Sequence, residues 1–233
     1  MMRARDFTAL KEQVRLFAGL SDDLLADLLE EAVTQLVPAR AQVIEEGRLP
    51  SHLFLLLEGA VELYGSVGER EASIAILEPG SCFILAAVII NTPQLMSART
   101  LELSRLLVIP ARLVRAAFAA DEHLARAVAA ELAGNFRTMV RQVRNQLLRT
   151  GVQRLANYLV SQCPSEEGPQ ALALAVQKKT LASMLGLEAP SLSRAFAALK
   201  QHGVGVDGRR ISISDIARLK SIAKSSEAID RSL

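Results

Sequence analysis

Residues 181–204 read LASMLGLEAPSLSRAFAALKQHGV, and their reading decides the fold of the second half of the chain. The pattern predicts a short helix over about 178–185. It stops at Gly186, whose freedom at positive φ permits a sharp turn. Pro190 suits the first turn of a second helix, which runs to about 201. Two short helices joined this tightly make a helix-turn-helix. On the second helix Leu192, Phe196 and Leu199 share an apolar face, while Ser191, Ser193 and Arg194 form a polar one. In such a motif the early residues of the second helix enter the major groove of double-stranded DNA. Arg offers paired donors to guanine there, and Ser reaches a base edge or a phosphate. Ser191, Ser193 and Arg194 are therefore the candidate base readers.

The stretch VGVDGRRISIS, residues 204–214, follows as a hairpin candidate with Asp207 and Gly208 at its turn. Arg209 and Arg210 make it a basic wing. Together with Gln177, Lys178, Lys179 and Lys200 they are the candidate phosphate contacts. Charge agrees with this division. Residues 1–150 carry 16 Lys and Arg against 18 Asp and Glu, whereas residues 151–233 carry 11 against 7, so the excess of cations lies where the reading helix is.

The N-terminal half has a different period. QLVPARAQVIEEG (35–47), HLFLLLEGAVELYG (52–65), EASIAILEPGSCF (71–83) and LELSRLLVIP (101–110) are short β-rich runs punctuated by Gly and Pro, which predict an antiparallel barrel or sandwich. Gly59 stands where a hairpin glycine would, and Glu78, Pro79 and Gly80 form another turn signal. Before these runs, LSDDLLADLLEEAV (20–33) predicts a helix opened by Ser21 as its cap.

After Pro110, Leu124, Val128, Leu132, Phe136, Met139, Val143 and Leu147 recur at steps of three and four, which predicts one long helix. Its apolar stripe suits either a core helix or the seam of a two-helix dimer. The heptad-like spacing favours the seam, built from Leu124, Val128, Leu132, Phe136, Met139 and Val143. A further helix, GVQRLANYLVSQ (151–162), is followed by the polar loop CPSEEGPQ (163–170).

The fold class is thus α+β, in three parts: a sensing β-barrel with its opening helix over 1–120, a dimerisation helix over 121–149 and a winged helix-turn-helix over 150–233. No run of residues is long and apolar enough for a membrane span, and MMRARDFTALKEQ lacks a secretion signal, so a cytoplasmic location is expected. Cys82 and Cys163 lie far apart without CxxC spacing, which argues against a disulfide framework, a zinc finger or a four-cysteine iron–sulfur cluster. An enzyme reading finds no P-loop, GxSxG or HExxH motif, and the chain has three histidines.

The order of parts resembles the cyclic-AMP receptor protein/FNR superfamily of bacterial transcription regulators over about residues 16–220. The resemblance rests on LFAGLSDDLLADLL, on the barrel stretches VIEEGRLPSHLFLLLEGAVELY and ILEPGSCF, and on the stretch quoted first. It implies a homodimer whose central helices shift when an effector enters a jelly roll of the cyclic-nucleotide-binding kind. The DNA heads then turn to read a palindrome, with RNA polymerase as a further partner.

Departures from the family pattern narrow the effector. Cyclic-nucleotide binders of the superfamily carry Gly-Glu-Leu followed by Arg-Ser-Ala, the Arg neutralising the phosphate and the Glu holding the ribose. Here the cassette reads GSCFILAAVIINTPQLMSART (80–100). Ser97 and Ala98 match, Met96 stands where the Arg belongs, and Phe83, Ile84 and Leu85 occupy the neighbourhood of the missing Glu. An unpaired phosphate in so apolar a site costs several kcal/mol, so cyclic AMP is not the expected ligand.

Phe83, Ile84, Leu85, Met96, Ser97 and Arg99 are the candidate effector pocket, with Arg99 as a displaced cation on the same side of its strand as Ser97. Haem, another apolar molecule, or no ligand remain as alternatives. The candidate axial ligands are His52, His123, Met96 and Cys82, while Ile84 and Ala86 stand near the positions where the carbon monoxide sensor of the superfamily has its Cys and His. The rival reading of the whole chain is a cyclic-nucleotide-binding signalling module. In the reading helix, Pro190 replaces the Glu of the family's E-x-x-S-R run, so the family half-site does not carry over intact.

Overall fold

The computed structural model describes residues 4–165, 168–174 and 176–225. Two compact units divide the chain, Met1–Phe136 and Arg137–Leu233.

The first unit opens with α1 (Ala4–Gln13) and α2 (Asp22–Leu29). Ser21 caps α2 as its sequence suggests: the hydroxyl accepts from the Leu24 amide at 3.2 Å, and Asp22 and Asp23 add negative charge to the first turn. Eight strands follow: β1 (Val33–Val37), β2 (Gln42–Ile44), β3 (His52–Glu58), β4 (Val61–Val67), β5 (Arg70–Leu77), β6 (Cys82–Phe83), β7 (Ser97–Thr100) and β8 (Ser104–Pro110). The helix α3 (Leu85–Ile90) interrupts them, and α4 (Ala111–Ala120) and α5 (Glu122–Leu148) follow. All pairings are antiparallel, in the orders β1-β8-β3-β6 and β2-β7-β4-β5. The expected barrel is therefore an open one: two four-stranded sheets face each other as a jelly roll, and no strand pairing among the described residues joins them.

One sheet is covered on both faces. Leu56, Leu106 and Val108 point between the sheets with Ile44, Val61, Leu63, Phe83 and Ala98. Leu53, Leu55, Leu107 and Ile109 point the other way, onto Phe17, Leu25, Leu85, Val88, Val114, Leu124 and Val128 of the helical layer. This explains why LFLLL and LLVI are continuous apolar runs and do not alternate with polar residues. Gly80 has φ +93°, and a Cβ there would strike the carbonyl oxygen of Gln13, so the β5–β6 turn sits directly on the end of α1.

Ahead of the stripe, the helical stretch after Pro110 divides into α4 and α5 at Asp121. Its amide still bonds back to Ala117 at the end of α4, and its carboxylate accepts from the Leu124 amide at 2.8 Å to start α5. The stripe also has two fates. Leu124 and Val128 are buried in the first unit's own core and Leu132 packs against it. Phe136, Met139, Val143 and Leu147 are 68, 52, 49 and 77% exposed. Of the expected seam of Leu124, Val128, Leu132, Phe136, Met139 and Val143, the first two are thus fully buried within the first unit and Leu132 is half-buried against it, while the exposed large apolar residues of the stripe begin at Phe136.

In the second unit α6 (Gly151–Ser161) starts on a capping box, with the Thr150 hydroxyl on the Gln153 amide and the Gln153 side chain on the Thr150 amide. Then come β9 (Gln170–Ala173), α7 (Lys178–Met184), α8 (Ala189–Lys200), β10 (Val204–Asp207), β11 (Arg210–Ile213) and α9 (Ile216–Ala223). The wing has three strands, ordered β10-β11-β9, where the sequence suggests a two-stranded hairpin. Leu155, Leu159, Leu181, Leu192, Leu199, Ile211, Ile213, Ile216 and Leu219 are buried among these elements.

Candidate nucleic-acid interface and sensor site

The reading helix forms as its sequence predicts. Gly186 takes φ +60° immediately after α7, and Pro190 lies in the first turn of α8. Leu192, Ala195, Phe196 and Leu199 face inward, while Ser193 and Arg194 are exposed and Ser191 is half-buried. Arg194 donates from Nη2 to the Ser191 hydroxyl at 2.9 Å. Ser193 donates back to the Ala189 carbonyl at 3.1 Å, which leaves its oxygen lone pairs outward. The three candidate base readers thus share the solvent face of the first two turns of α8. Glu188, at the N-cap without a side-chain cap bond, adds an exposed acid that the sequence reading does not single out.

Of the candidate phosphate contacts, Gln177, Lys178 and Lys179 are exposed at the start of α7, and Lys178 holds its ammonium 5.7 Å from the Phe196 ring centroid. Lys200 is exposed in the last turn of α8. The two wing arginines differ. Arg210 is exposed opposite Asp207. Arg209 aims its guanidinium at the Leu174 carbonyl, at 3.0 Å from Nε and 2.6 Å from Nη2, and so fastens β9 to the wing turn. An open cavity of about 580 Å³ lies on the outer face of this sheet, lined by Ala171, Val206, Arg210 and Ser212 among others. It is built wholly of wing residues and has no part of the cassette in it.

The six cassette candidates do not line one pocket. Phe83 is buried between the sheets, stacked on Phe54 at 5.5 Å between ring centroids, and Met96 packs against the same cluster. Ile84 touches both cores and takes φ +60°, an unusual conformation for a β-branched residue, at the start of α3. Leu85 turns into the helical layer, away from the space between the sheets. Ser97 accepts from the Glu46 amide at 3.0 Å.

Arg99 shares the face of Ser97, as expected, but its guanidinium is occupied. Nε donates to Glu62 at 2.7 Å, Nη1 to Glu71 at 2.8 Å, and the group lies 4.2 Å over the Tyr64 ring. Burial alone would lower the guanidinium pKa, and the two carboxylates reverse this and raise it. The same strand sends Ala98 into the inter-sheet cluster, so Arg99 stands on the opposite face.

The candidate haem ligands do not converge either. Cys82 lies in the helical-layer core, where burial and the Glu131 carboxylate push its thiol up to about 12. Met96 packs in the inter-sheet cluster. His52 Nδ1 is 2.8 Å from the Ser51 hydroxyl, and His123 is exposed at the start of α5. Among the described residues no three His, Cys, Asp or Glu side chains are grouped to hold a metal ion. No described helix is long and apolar enough to cross a membrane.

Two family models match in chain order: the cyclic nucleotide-binding domain over residues 34–121 and the Crp-like helix-turn-helix domain over residues 153–222. Among curated proteins, the potassium channel KAT3 of Arabidopsis thaliana is 29% identical over 101 residues, 43% of this chain. This chain spans 15% of the channel's length, and the likeness belongs to the cyclic nucleotide-binding domain alone. Among solved structures, a protein of Ruegeria pomeroyi described as a candidate cyclic nucleotide binding protein is 26% identical. The alignment covers 96% of this chain and 100% of that one, with a TM-score of 0.61. FixK2 of Bradyrhizobium japonicum shares the fold at 20% identity and TM-score 0.71, over 84% of this chain and 98% of its own. With a cyclic nucleotide-binding jelly roll, a long helix and a Crp-like helix-turn-helix in that order, the chain belongs to the Crp/Fnr superfamily of transcription regulators.

Proposed function

We propose that the chain is a homodimeric, sequence-specific regulator and not an enzyme, which reads a palindrome in double-stranded DNA through α8 and acts at promoters with RNA polymerase as its protein partner. The observation that carries this reading is the two-sided character of α8: Leu192, Ala195, Phe196 and Leu199 anchor it, while Ser191, Ser193 and Arg194 lie on its outward face and Lys178 and Lys179 are exposed on the preceding helix. A guanidinium so presented matches the O6 and N7 acceptors of guanine. The exposed run Phe136, Met139, Val143 and Leu147 supplies the dimer seam, since an apolar face of this length left in water favours association.

The jelly roll serves as a sensor for an apolar effector, not for cyclic AMP. Met96 and Leu85 bring neither a cation nor a carboxylate to the cassette, and the nearby Arg99 is committed to Glu62 and Glu71. The inter-sheet cluster of Phe83, Ile84 and Met96 is the apolar surface such an effector would meet. Selection of duplexes from a random pool with the full chain tests the DNA reading directly. A recovered palindrome that binds far more tightly than scrambled DNA is the expected result. Recovery of no enriched sequence overturns it.

A further inference from the structure

Arg154 lies in the first turn of α6, an unfavourable place for a cation with respect to that helix's own dipole. Its side chain is directed elsewhere. Nη1 donates to the carbonyls of Arg149 at 2.8 Å and Gln146 at 3.3 Å, and Nη2 to the carbonyl of Gly186 at 3.4 Å. Gln146 is in the last turn of α5, whose final carbonyls have no partner within the helix. Gly186 is the turn of the helix-turn-helix. One guanidinium therefore spans the C-terminal end of α5 and the turn that aims α8.

Packing presses the same parts together. A Cβ on Gly151 would lie 2.8 Å from Leu187 Cδ2, so the residue after the turn sits on the start of α6. A Cβ on Gly186 would lie 3.7 Å from the Gln146 amide nitrogen. Arg149 donates to the carbonyl of Lys224 at 3.0 Å, at the end of α9.

We infer that Arg154 is a positioning residue that sets the angle of the reading helix to the dimer helix, and with it the spacing between the two half-sites that the dimer accepts. The inference rests on the dimeric DNA-binding reading above. In a two-fold dimer the half-sites lie about 34 Å apart, one helical turn, and the protein's own geometry chooses among spacings. A planar fork with several donors holds three carbonyls at fixed directions, as a lysine ammonium does not.

The test uses the full chain, a series of palindromes whose half-sites are separated by one base pair more or fewer, and a short duplex carrying one half-site. Wild type is expected to prefer one spacing. Arg154→Met is expected to bind the single half-site within about twofold of wild type while its preference for that spacing falls by about tenfold, with Arg154→Lys in between. An unchanged spacing preference in Arg154→Met, or an equal loss on the half-site and on every palindrome, overturns the inference; if that variant does not fold, Arg154→Lys is judged by the same two criteria. Wild type binding all spacings alike would instead show the dimeric reading to be wrong, and the role of Arg154 would fall with it.

Discussion

Arg99 and Glu62 are directly opposed across β7 and β4, with Arg99 Nε donating to the Glu62 carboxylate at 2.7 Å and only 6% of the Glu62 side chain exposed. The carboxylate depends on that guanidinium. Arg99→Met is expected to lower stability by about 2 to 3 kcal/mol, somewhat less than for a fully buried pair because 32% of the Arg99 side chain is in water. Removing the charge from Glu62 as well, in the Glu62→Gln, Arg99→Met pair, is expected to restore much of the loss. Urea unfolding of the Arg99→Met, Glu62→Gln and double variants measures both effects, and a full additive loss in the double variant would show that the pair is not coupled.

The long stripe on α5 separates by position. Phe136→Glu is expected to yield monomers in sedimentation with the sensor domain's melting unchanged, because Phe136 is exposed. Val128→Glu is expected to unfold that domain, because Val128 is buried against its helical layer and a charge there has no partner. A Phe136→Glu protein that remains a dimer would move the seam elsewhere.

The helix-turn-helix was readable because its signals are local: Gly186 and Pro190 carry their conformations with them, wherever the rest of the chain goes. The stripe was readable as a helix but not in its partner, since a period of 3.6 fixes a face and says nothing of what covers it. Leu124 and Phe136 look alike in sequence and differ only through the sheet that reaches one of them. Short elements that depend on distant pairing were hidden. Gln170–Ala173 becomes a strand only because β11 lies beside it, and Leu85–Ile90 becomes a helix only after Ile84 adopts a positive φ that its side chain disfavours. The side of the strand on which Arg99 stands followed from alternation, whereas its partners Glu62 and Glu71 required the register of three strands.

Cys82 is held as a neutral thiol by burial and by Glu131, with its pKa raised to about 12 from 9.0. The unfolded chain releases this proton near 9, and the folded chain keeps it. Stability from this group is therefore fully present below about 9 and is lost as pH rises toward 12. At pH 8 a thiol reagent is expected to label the half-exposed Cys163 and to reach Cys82 only in denaturant. Rapid labelling of both cysteines in native protein would contradict the placement of Cys82.

Cyclic AMP is expected to produce no binding heat in calorimetry and no change in DNA affinity. Met96→Arg alone is expected not to confer binding, because Leu85, in the neighbourhood of the family's Glu, is apolar and faces the helical layer. Micromolar binding by the wild-type chain would overturn the assignment of an apolar sensor.

The claim that α8 reads bases is tested most directly by comparing Arg194→Ala with Arg210→Ala on the selected palindrome and on random duplex over a range of salt. Arg194→Ala is expected to cost about 1 to 3 kcal/mol on the palindrome and little on random DNA, as loss of a guanine contact does. Arg210→Ala is expected to weaken both alike and to flatten the salt dependence by about one unit of slope, as loss of a phosphate contact does. If Arg194→Ala lowers affinity for the palindrome and for random DNA by the same factor, α8 is not the base reader, and the roles given to Ser191 and Ser193 fall with it.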